Sequence, residues 1–168
     1  MTKTIYSILL ALMLMALPAS SVLADSRDWT LPDIKGERYR MSEHVGTSPF
    51  VLIFWATWCT PCKKEMDEQR DLFDDLIKSG VNVLFIAEDN QKSQAKVKPY
   101  IESKGYQWPV LLDPDGEVLR RYGGTSSIPY TVVLDRDGKV QSKLRGAIKN
   151  AETFKTQVTS LMMENSGE

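Results

Sequence analysis

A chain of 168 residues, 42% hydrophobic and 26% charged, is long enough to bury a core without disulfide staples and has the composition of one globular domain. Its 21 basic and 22 acidic side chains nearly cancel, which gives no support to a nucleic acid or an anionic surface as partner. Only two cysteines occur, Cys59 and Cys62, and bridging so short a loop constrains the unfolded chain little, so a structural disulfide framework is excluded as well.

Met1 to Ala24 carries one positive charge at Lys3, an apolar run from Ile8 to Leu17, then Pro18 and small residues ending Val22-Leu23-Ala24. This is the layout of a secretory signal peptide, and the apolar run is well short of the about 20 residues of a membrane span. Residues 1–24 are therefore expected to be cleaved off after Ala24, leaving residues 25–168 as one exported domain. Retention of the segment as a membrane anchor is the alternative. No cysteine near the cleavage point could take a lipid. Cleavage leaves 144 of the 168 residues and removes one base and no acid, so 20 basic face 22 acidic side chains, a net charge of −2.

Trp29 to Met41 reads as a small hairpin around Lys35-Gly36. His44 follows in a polar stretch and reads as a surface histidine. Phe50 to Ala56 is almost continuously apolar, as a strand buried on both faces must be. After Cys62, Met66, Gln69, Phe73, Leu76 and Ile77 recur at helical spacing until Ser79-Gly80 ends the pattern. Val81 to Ala87 is a second buried strand, and Ser93 to Lys104 a helix with Val97, Tyr100 and Ile101 on one face. Val110 to Leu112 is a short strand, Asp113-Pro114-Asp115-Gly116 a turn, and Glu117 to Tyr122 a short helix ended by Gly123-Gly124. Tyr130 to Leu134 and Lys139 to Leu144 form a hairpin across Asp135-Arg136-Asp137-Gly138. A last helix has Phe154, Val158, Leu161 and Met162 on its apolar face. This order implies an α/β layer fold with a mixed sheet.

The chemistry sits where the first buried strand meets its helix, at Trp58-Cys59-Thr60-Pro61-Cys62. Disulfide exchange needs one thiol that ionises easily and a second close enough to attack the mixed disulfide before it dissociates. A helix N-terminus meets the first need, because its free N–H groups and dipole favour a thiolate. Cys59 is thus the expected nucleophile and Cys62, one turn in, the resolving thiol. Pro61 suits the first turn, where its missing N–H is no loss. Zinc is the competing use of Cys-x-x-Cys, but a structural site wants four ligands and beyond the thiols the chain offers only His44. No metal or organic cofactor is expected, only the redox-active Cys59–Cys62 disulfide.

The run Phe54-Trp55-Ala56-Thr57-Trp58-Cys59-Thr60-Pro61-Cys62-Lys63-Lys64-Glu65, with Ile128-Pro129-Tyr130 opening a later strand and Asp-x-Asp-Gly-Lys after it, resembles the thioredoxin superfamily. More narrowly it is similar to the exported TlpA and ResA-like branch, which includes the cytochrome c maturation reductases. The resemblance covers about Trp29 to Met162. It implies a thioredoxin fold: a mixed central sheet flanked by helices, with an N-terminal β-hairpin extension and a helix insertion after the second core strand. It further implies a protein thiol:disulfide oxidoreductase of the periplasm, with disulfide-bearing exported proteins as substrates and a membrane protein as electron donor.

The same resemblance makes Pro129 a cis proline against the disulfide, although only about 5–6% of X-Pro bonds are cis. The backbone of Ile128 would then pair with an extended segment of the partner. Trp58, Thr60 and Pro61 join Ile128 and Pro129 as the expected contact surface, while Trp55 fills the core. Cytoplasmic thioredoxins have an aspartate six residues before the first cysteine, where this chain has Ile53. The ResA-like branch instead has an acid three residues after the second cysteine, here Glu65, placed to relay a proton to Cys62; a solvated charge among Lys63, Lys64 and Asp67 is the alternative. Trp108-Pro109 resembles a family loop and stays unassigned.

Three other readings compete. A peroxiredoxin would need Pro and Thr seven and three residues before the reactive cysteine, where this chain has Leu52 and Ala56. A copper-handling chaperone of this fold would space its cysteines by three and add a downstream histidine, neither of which is present. A non-catalytic binding module has no reason to keep both cysteines and the proline.

Overall fold

The computed structural model describes residues 28–163; the expected signal segment 1–24 lies outside them. The chain first forms a two-stranded antiparallel sheet, β1 (Thr30–Pro32) and β2 (Arg38–Arg40). Its turn is built on Asp33, whose carboxylate accepts the N–H groups of Lys35 and Glu37, both at 2.8 Å. There follow β3 (Phe50–Trp55), α1 (Thr60–Glu68), α2 (Arg70–Lys78), β4 (Asn82–Ala87), α3 (Val97–Lys104), β5 (Val110–Leu112), α4 (Glu117–Arg121), β6 (Tyr130–Leu134), β7 (Val140–Arg145) and α5 (Ala151–Met163). The five main strands make one mixed sheet in the order β5-β4-β3-β6-β7, parallel from β3 to β5 and antiparallel from β3 to β7.

Strand side chains alternate between the two faces of the sheet, and both faces are covered. Val51, Ile53 and Trp55 of β3 join Val83 and Phe85 of β4 against α1, α2, α3 and α5. Phe50, Leu52 and Phe54 point the other way, to Trp29, Leu31 and Met41 of the N-terminal segment and to Val118, Leu119 and Tyr122 around α4. That is why β3 is apolar at every position rather than at every second one. The N-terminal hairpin is a working part of the second layer: Trp29 donates its indole N–H to the Tyr122 hydroxyl at 3.1 Å.

The structure departs from the sequence reading in three places. The helix after Cys62 is broken at Gln69 (φ −105°, ψ 18°) into α1 and α2. The hydrophobic period survives because the Gln69 N–H still bonds the Glu65 carbonyl at 2.8 Å, while its side-chain amide reaches the Ile148 carbonyl at 3.4 Å. The helix before Gly105 begins as a 3-10 turn, Gln94–Lys96, and turns α-helical only from Val97. Pro99 then falls in the first α-turn, where a missing N–H leaves no bond unmade. Finally, the unassigned Trp108 is a core residue. It stacks on Tyr106 at 3.9 Å and on Phe85 at 4.4 Å, and donates to Asp74 at 2.6 Å, tying α2 to the sheet.

His44 is exposed and stacks on Tyr39, centroids 4.2 Å apart. Trp55 is fully buried and tilted against Tyr100.

Phe73 of α2 meets Phe85 and Trp108 edge-on, at 5.2 and 5.6 Å, with no exposure to solvent. Phe73→Ala should cost about 3–5 kcal/mol, read as a lower urea midpoint at unchanged slope; a loss under about 1 kcal/mol would mean that this aromatic cluster collapses onto the gap.

Candidate active site

The buried strand β3 delivers the chain to the site. After Trp55 the backbone turns over Ala56–Cys59, closed by the Cys59 N–H on the Ala56 carbonyl at 3.0 Å. Cys59 is in extended conformation (φ −85°, ψ 97°) and is itself the N-cap of α1, its sulfur accepting the Cys62 N–H at 3.2 Å. Pro61 stands in the first turn, so it leaves the free N–H groups of the helix end to the sulfur. Cys59 and Cys62 form a disulfide with their Cα atoms 5.3 Å apart.

The two sulfurs differ in access. Cys59 is 4% exposed and Cys62 wholly buried, while Trp58 beside them is 57% exposed and Thr60 and Pro61 are exposed too. From across the sheet, the antiparallel pairing of Phe54 with Tyr130 brings the start of β6 to the same place. The Ile128–Pro129 peptide bond is cis, and the Ile128 carbonyl lies 3.8 Å from the Cys59 sulfur. Trp58, Thr60 and Pro61 are thus exposed around a protected disulfide with Ile128 partly exposed beside them, while Pro129 is buried behind. Beside this surface runs a groove of about 470 Å³ walled by Trp58, Leu119, Ser126, Ile128 and Glu88.

Glu65 is buried, 3% exposed, which removes the reading of a solvated helix charge. Its Oε1 accepts the Ile148 N–H at 2.6 Å, and its Oε2 is enclosed without a partner. Burial pushes its pKa up to about 6, against a smaller downward pull from the Ile148 N–H. Three residues apart on α1, Glu65 and Cys62 occupy the same buried helix side.

Three further acids stand by the site that the sequence reading passed over. Asp89 is completely buried and takes two short hydrogen bonds from Thr57, from its N–H at 2.7 Å and its hydroxyl at 2.6 Å. Asp113 caps α4, accepting the N–H groups of Glu117, Val118 and Leu119 at 2.9, 2.9 and 3.1 Å. Glu88 hydrogen-bonds Asp113; burial first, then the charge of Asp113, pushes Glu88 up to about 9. A signal for them existed: Glu88-Asp89 and Asp113 directly follow two apolar parallel strands, and open α/β sheets place sites at such carboxyl ends. No group of three or more His, Cys, Asp or Glu poised to hold a metal occurs among the described residues.

The family model described as AhpC/TSA matches residues 22–143. The thiol-disulfide oxidoreductase ResA of Geobacillus thermodenitrificans is 31% identical over 143 residues, covering 85% of this chain and 79% of the relative. ResA of Bacillus subtilis is 33% identical over 125 residues, 74% of this chain and 68% of the relative. Among solved structures, the exposed lipoprotein thioredoxin of Streptococcus pneumoniae aligns with a TM-score of 0.66 at 27% identity, over 79% of this chain and 98% of that one. StoA of Bacillus subtilis shares the fold at a TM-score of 0.62 and 24% identity, over 77% and 94% of the two chains. With the Cys59–Cys62 disulfide at the start of α1 and these relatives, the chain belongs to the AhpC/TSA family and, within it, to the ResA-like thiol-disulfide oxidoreductases of thioredoxin fold.

Proposed function

We propose that the protein acts as a reductant of disulfides in exported proteins of the periplasm, as the cytochrome c maturation reductases do. The observation that carries this reading is a disulfide whose outer sulfur caps a helix N-terminus and lies 3.8 Å from the Ile128 carbonyl. In the reduced protein the Cys59 thiolate attacks one sulfur of the substrate disulfide, and the other substrate sulfur leaves as a thiolate. Cys62 then loses its proton and attacks the Cys59 sulfur. That step expels the second substrate thiolate and closes the Cys59–Cys62 disulfide, so two electrons have passed to the substrate. An extended substrate segment lies along Ile128 and Pro129, with Trp58, Thr60 and Pro61 as the surrounding contact surface. A donor must return the electrons, and in an oxidising compartment a membrane protein drawing on the cytoplasm is the fitting class.

Glu65 is the proton acceptor for Cys62 in this scheme. A carboxyl of pKa about 6 is largely ionised at neutral pH and regains a proton readily, as a general base must. Its unpartnered Oε2 leaves a lone pair for that proton. Peroxide reduction is disfavoured, because the positions that would carry its Pro and Thr are the buried Leu52 and Ala56.

Three measurements test the scheme. In the reduced protein at neutral pH, iodoacetamide should label Cys59 well before Cys62, because the helix end stabilises the outer thiolate; labelling of Cys62 first would reverse the roles. The rate of mixed-disulfide resolution should rise as pH passes through about 6 and Glu65 ionises. Glu65→Gln should flatten that rise and slow the step on the order of 10²-fold, and an unchanged profile would confine Glu65 to packing. Equilibration with glutathione or dithiothreitol should give a potential below about −200 mV, since Thr60-Pro61 adds no positive charge to hold the thiolate. A value above about −150 mV would class the protein with the oxidants.

A further inference from the structure

We propose that Asp89 is the positioning residue of the nucleophile: it acts through Thr57 to hold the turn that presents Cys59. The placement begins with the sheet. Parallel pairing of β3 with β4 sets Trp55 opposite Ala87, and the Glu88 N–H continues it by bonding the Trp55 carbonyl at 2.8 Å. One residue further on each chain, regular pairing ends. Asp89 replaces the missing ladder contact with its side chain, taking the Thr57 N–H at 2.7 Å and the Thr57 hydroxyl at 2.6 Å.

Thr57 is a central residue of the turn closed by Cys59 N–H on Ala56 O. Its N–H takes no part in that closing bond and is directed to Asp89, just past the carboxyl end of β4. Without an acceptor there, a half-buried donor beside a buried strand end would be left unpaired, and the turn would reorient to find one. Its ends, Ala56 and Cys59, are buried, but of its two central residues only Thr57 is tied down. Trp58, its other central residue, is 57% exposed and gives no buried anchor. A carboxylate that grips both donors of one residue sets the direction of that residue, and hence the path of the next two. Those two are Trp58, on the contact surface, and Cys59, whose sulfur has to reach the free N–H of Cys62 and lie beside Ile128 at once. Burial of Asp89 to 0% exposure makes the grip strong, because no water competes for either oxygen.

This inference rests on Cys59 being the attacking thiol, and its test separates the two. Alkylation at limiting iodoacetamide is followed on the reduced full-length protein and its variants, at a temperature where each is fully folded by circular dichroism. Reduction of a model disulfide peptide, with glutathione supplied in excess to return the electrons and its direct reaction with the peptide subtracted, gives kcat and KM. Asp89→Ala frees both Thr57 donors and should slow Cys59 alkylation and kcat on the order of tenfold, with KM within about twofold. Asp89→Asn keeps one oxygen for the Thr57 N–H, and the hydroxyl can turn to accept from the new amide, so this conservative variant should recover most of the rate, to within about threefold of wild type. Thr57→Val, which should fold even if Asp89→Ala does not, removes only the hydroxyl bond and should fall between the two. An Asp89→Ala protein that is less stable but reacts at the wild-type rate when folded would overturn the proposal alone, leaving a purely structural aspartate. So would Asp89→Asn slowing as much as Asp89→Ala, since charge rather than geometry would then be at work. Wild-type labelling at Cys62 first would instead overturn the assignment of roles, and the proposal with it.

Discussion

The sulfur of Cys59 must be in two places that the fold has to make one: within hydrogen-bonding reach of the Cys62 N–H at 3.2 Å, and 3.8 Å from the Ile128 carbonyl. The first condition requires a strand that ends on a turn and enters a helix without a spare residue. The second requires that the strand start at Tyr130 pair with Phe54 and not one position away. A slip of one residue would turn Phe50, Leu52 and Phe54 out of their layer and carry Ile128 off the sulfur. The register of the core and the geometry of the site are therefore one constraint. The two apolar faces of β3, filled by different partners, enforce it.

This explains why the N-terminal hairpin belongs to the functional unit although it lies far from the thiols in the chain. Trp29, Leu31 and Met41 close the face of β3 that α1, α2, α3 and α5 leave open. The helix α4 shares that layer, held by Asp113 at its start and by the bond from the Tyr130 hydroxyl to the Tyr122 carbonyl at 3.0 Å. The segment from Gly124 to Ile128, which leads into the cis bond, hangs between α4 and β6. Gly124 has no room for a side chain: a Cβ there would run into the side chain and the carbonyl of Leu119. That close approach lets the loop descend beside α4 and form the groove wall next to Trp58.

Much of this was legible in the sequence because it depends on contacts made locally or on patterns of burial. The apolar runs at 50–56 and 81–87, the Trp-Cys-x-Pro-Cys at a helix start and the Asp-x-Asp-Gly turn each contain their own physical reason. What the sequence did not disclose depends on residues brought together from far apart. The family pattern singles out Glu65 three residues after Cys62, but only the fold decides that it is buried, with a bond from the Ile148 N–H 83 positions on, and not a solvated charge among Lys63, Lys64 and Asp67. Gln69 fits the helical period, yet it breaks the helix with its amide drawn to the Ile148 carbonyl. Trp108 has no local pattern that marks it as core; Phe85 and Tyr106 sandwich it only once β4 and β5 are side by side. Asp89 belongs with these, since its partner Thr57 is reached through the β3–β4 register.

The carboxyls around the site show how one physical cause can lead to opposite states. Glu65 and Glu88 are both raised chiefly by burial. Glu65 has an N–H donor from Ile148 and stops at about 6, so at neutral pH it is largely a carboxylate. Glu88 is buried beside Asp113, and burial first, then the charge of Asp113, holds it up to about 9, so it stays protonated at neutral pH. On the groove side, next to Trp58, Glu88 is thereby kept uncharged, which suits the approach of a substrate to Cys59 in the scheme proposed above. On the Cys62 side a basic carboxylate is left standing in an apolar setting. That division suits the two tasks proposed for the thiols: an attacking Cys59 would need its charge tolerated, whereas a resolving Cys62 would need somewhere to send a proton.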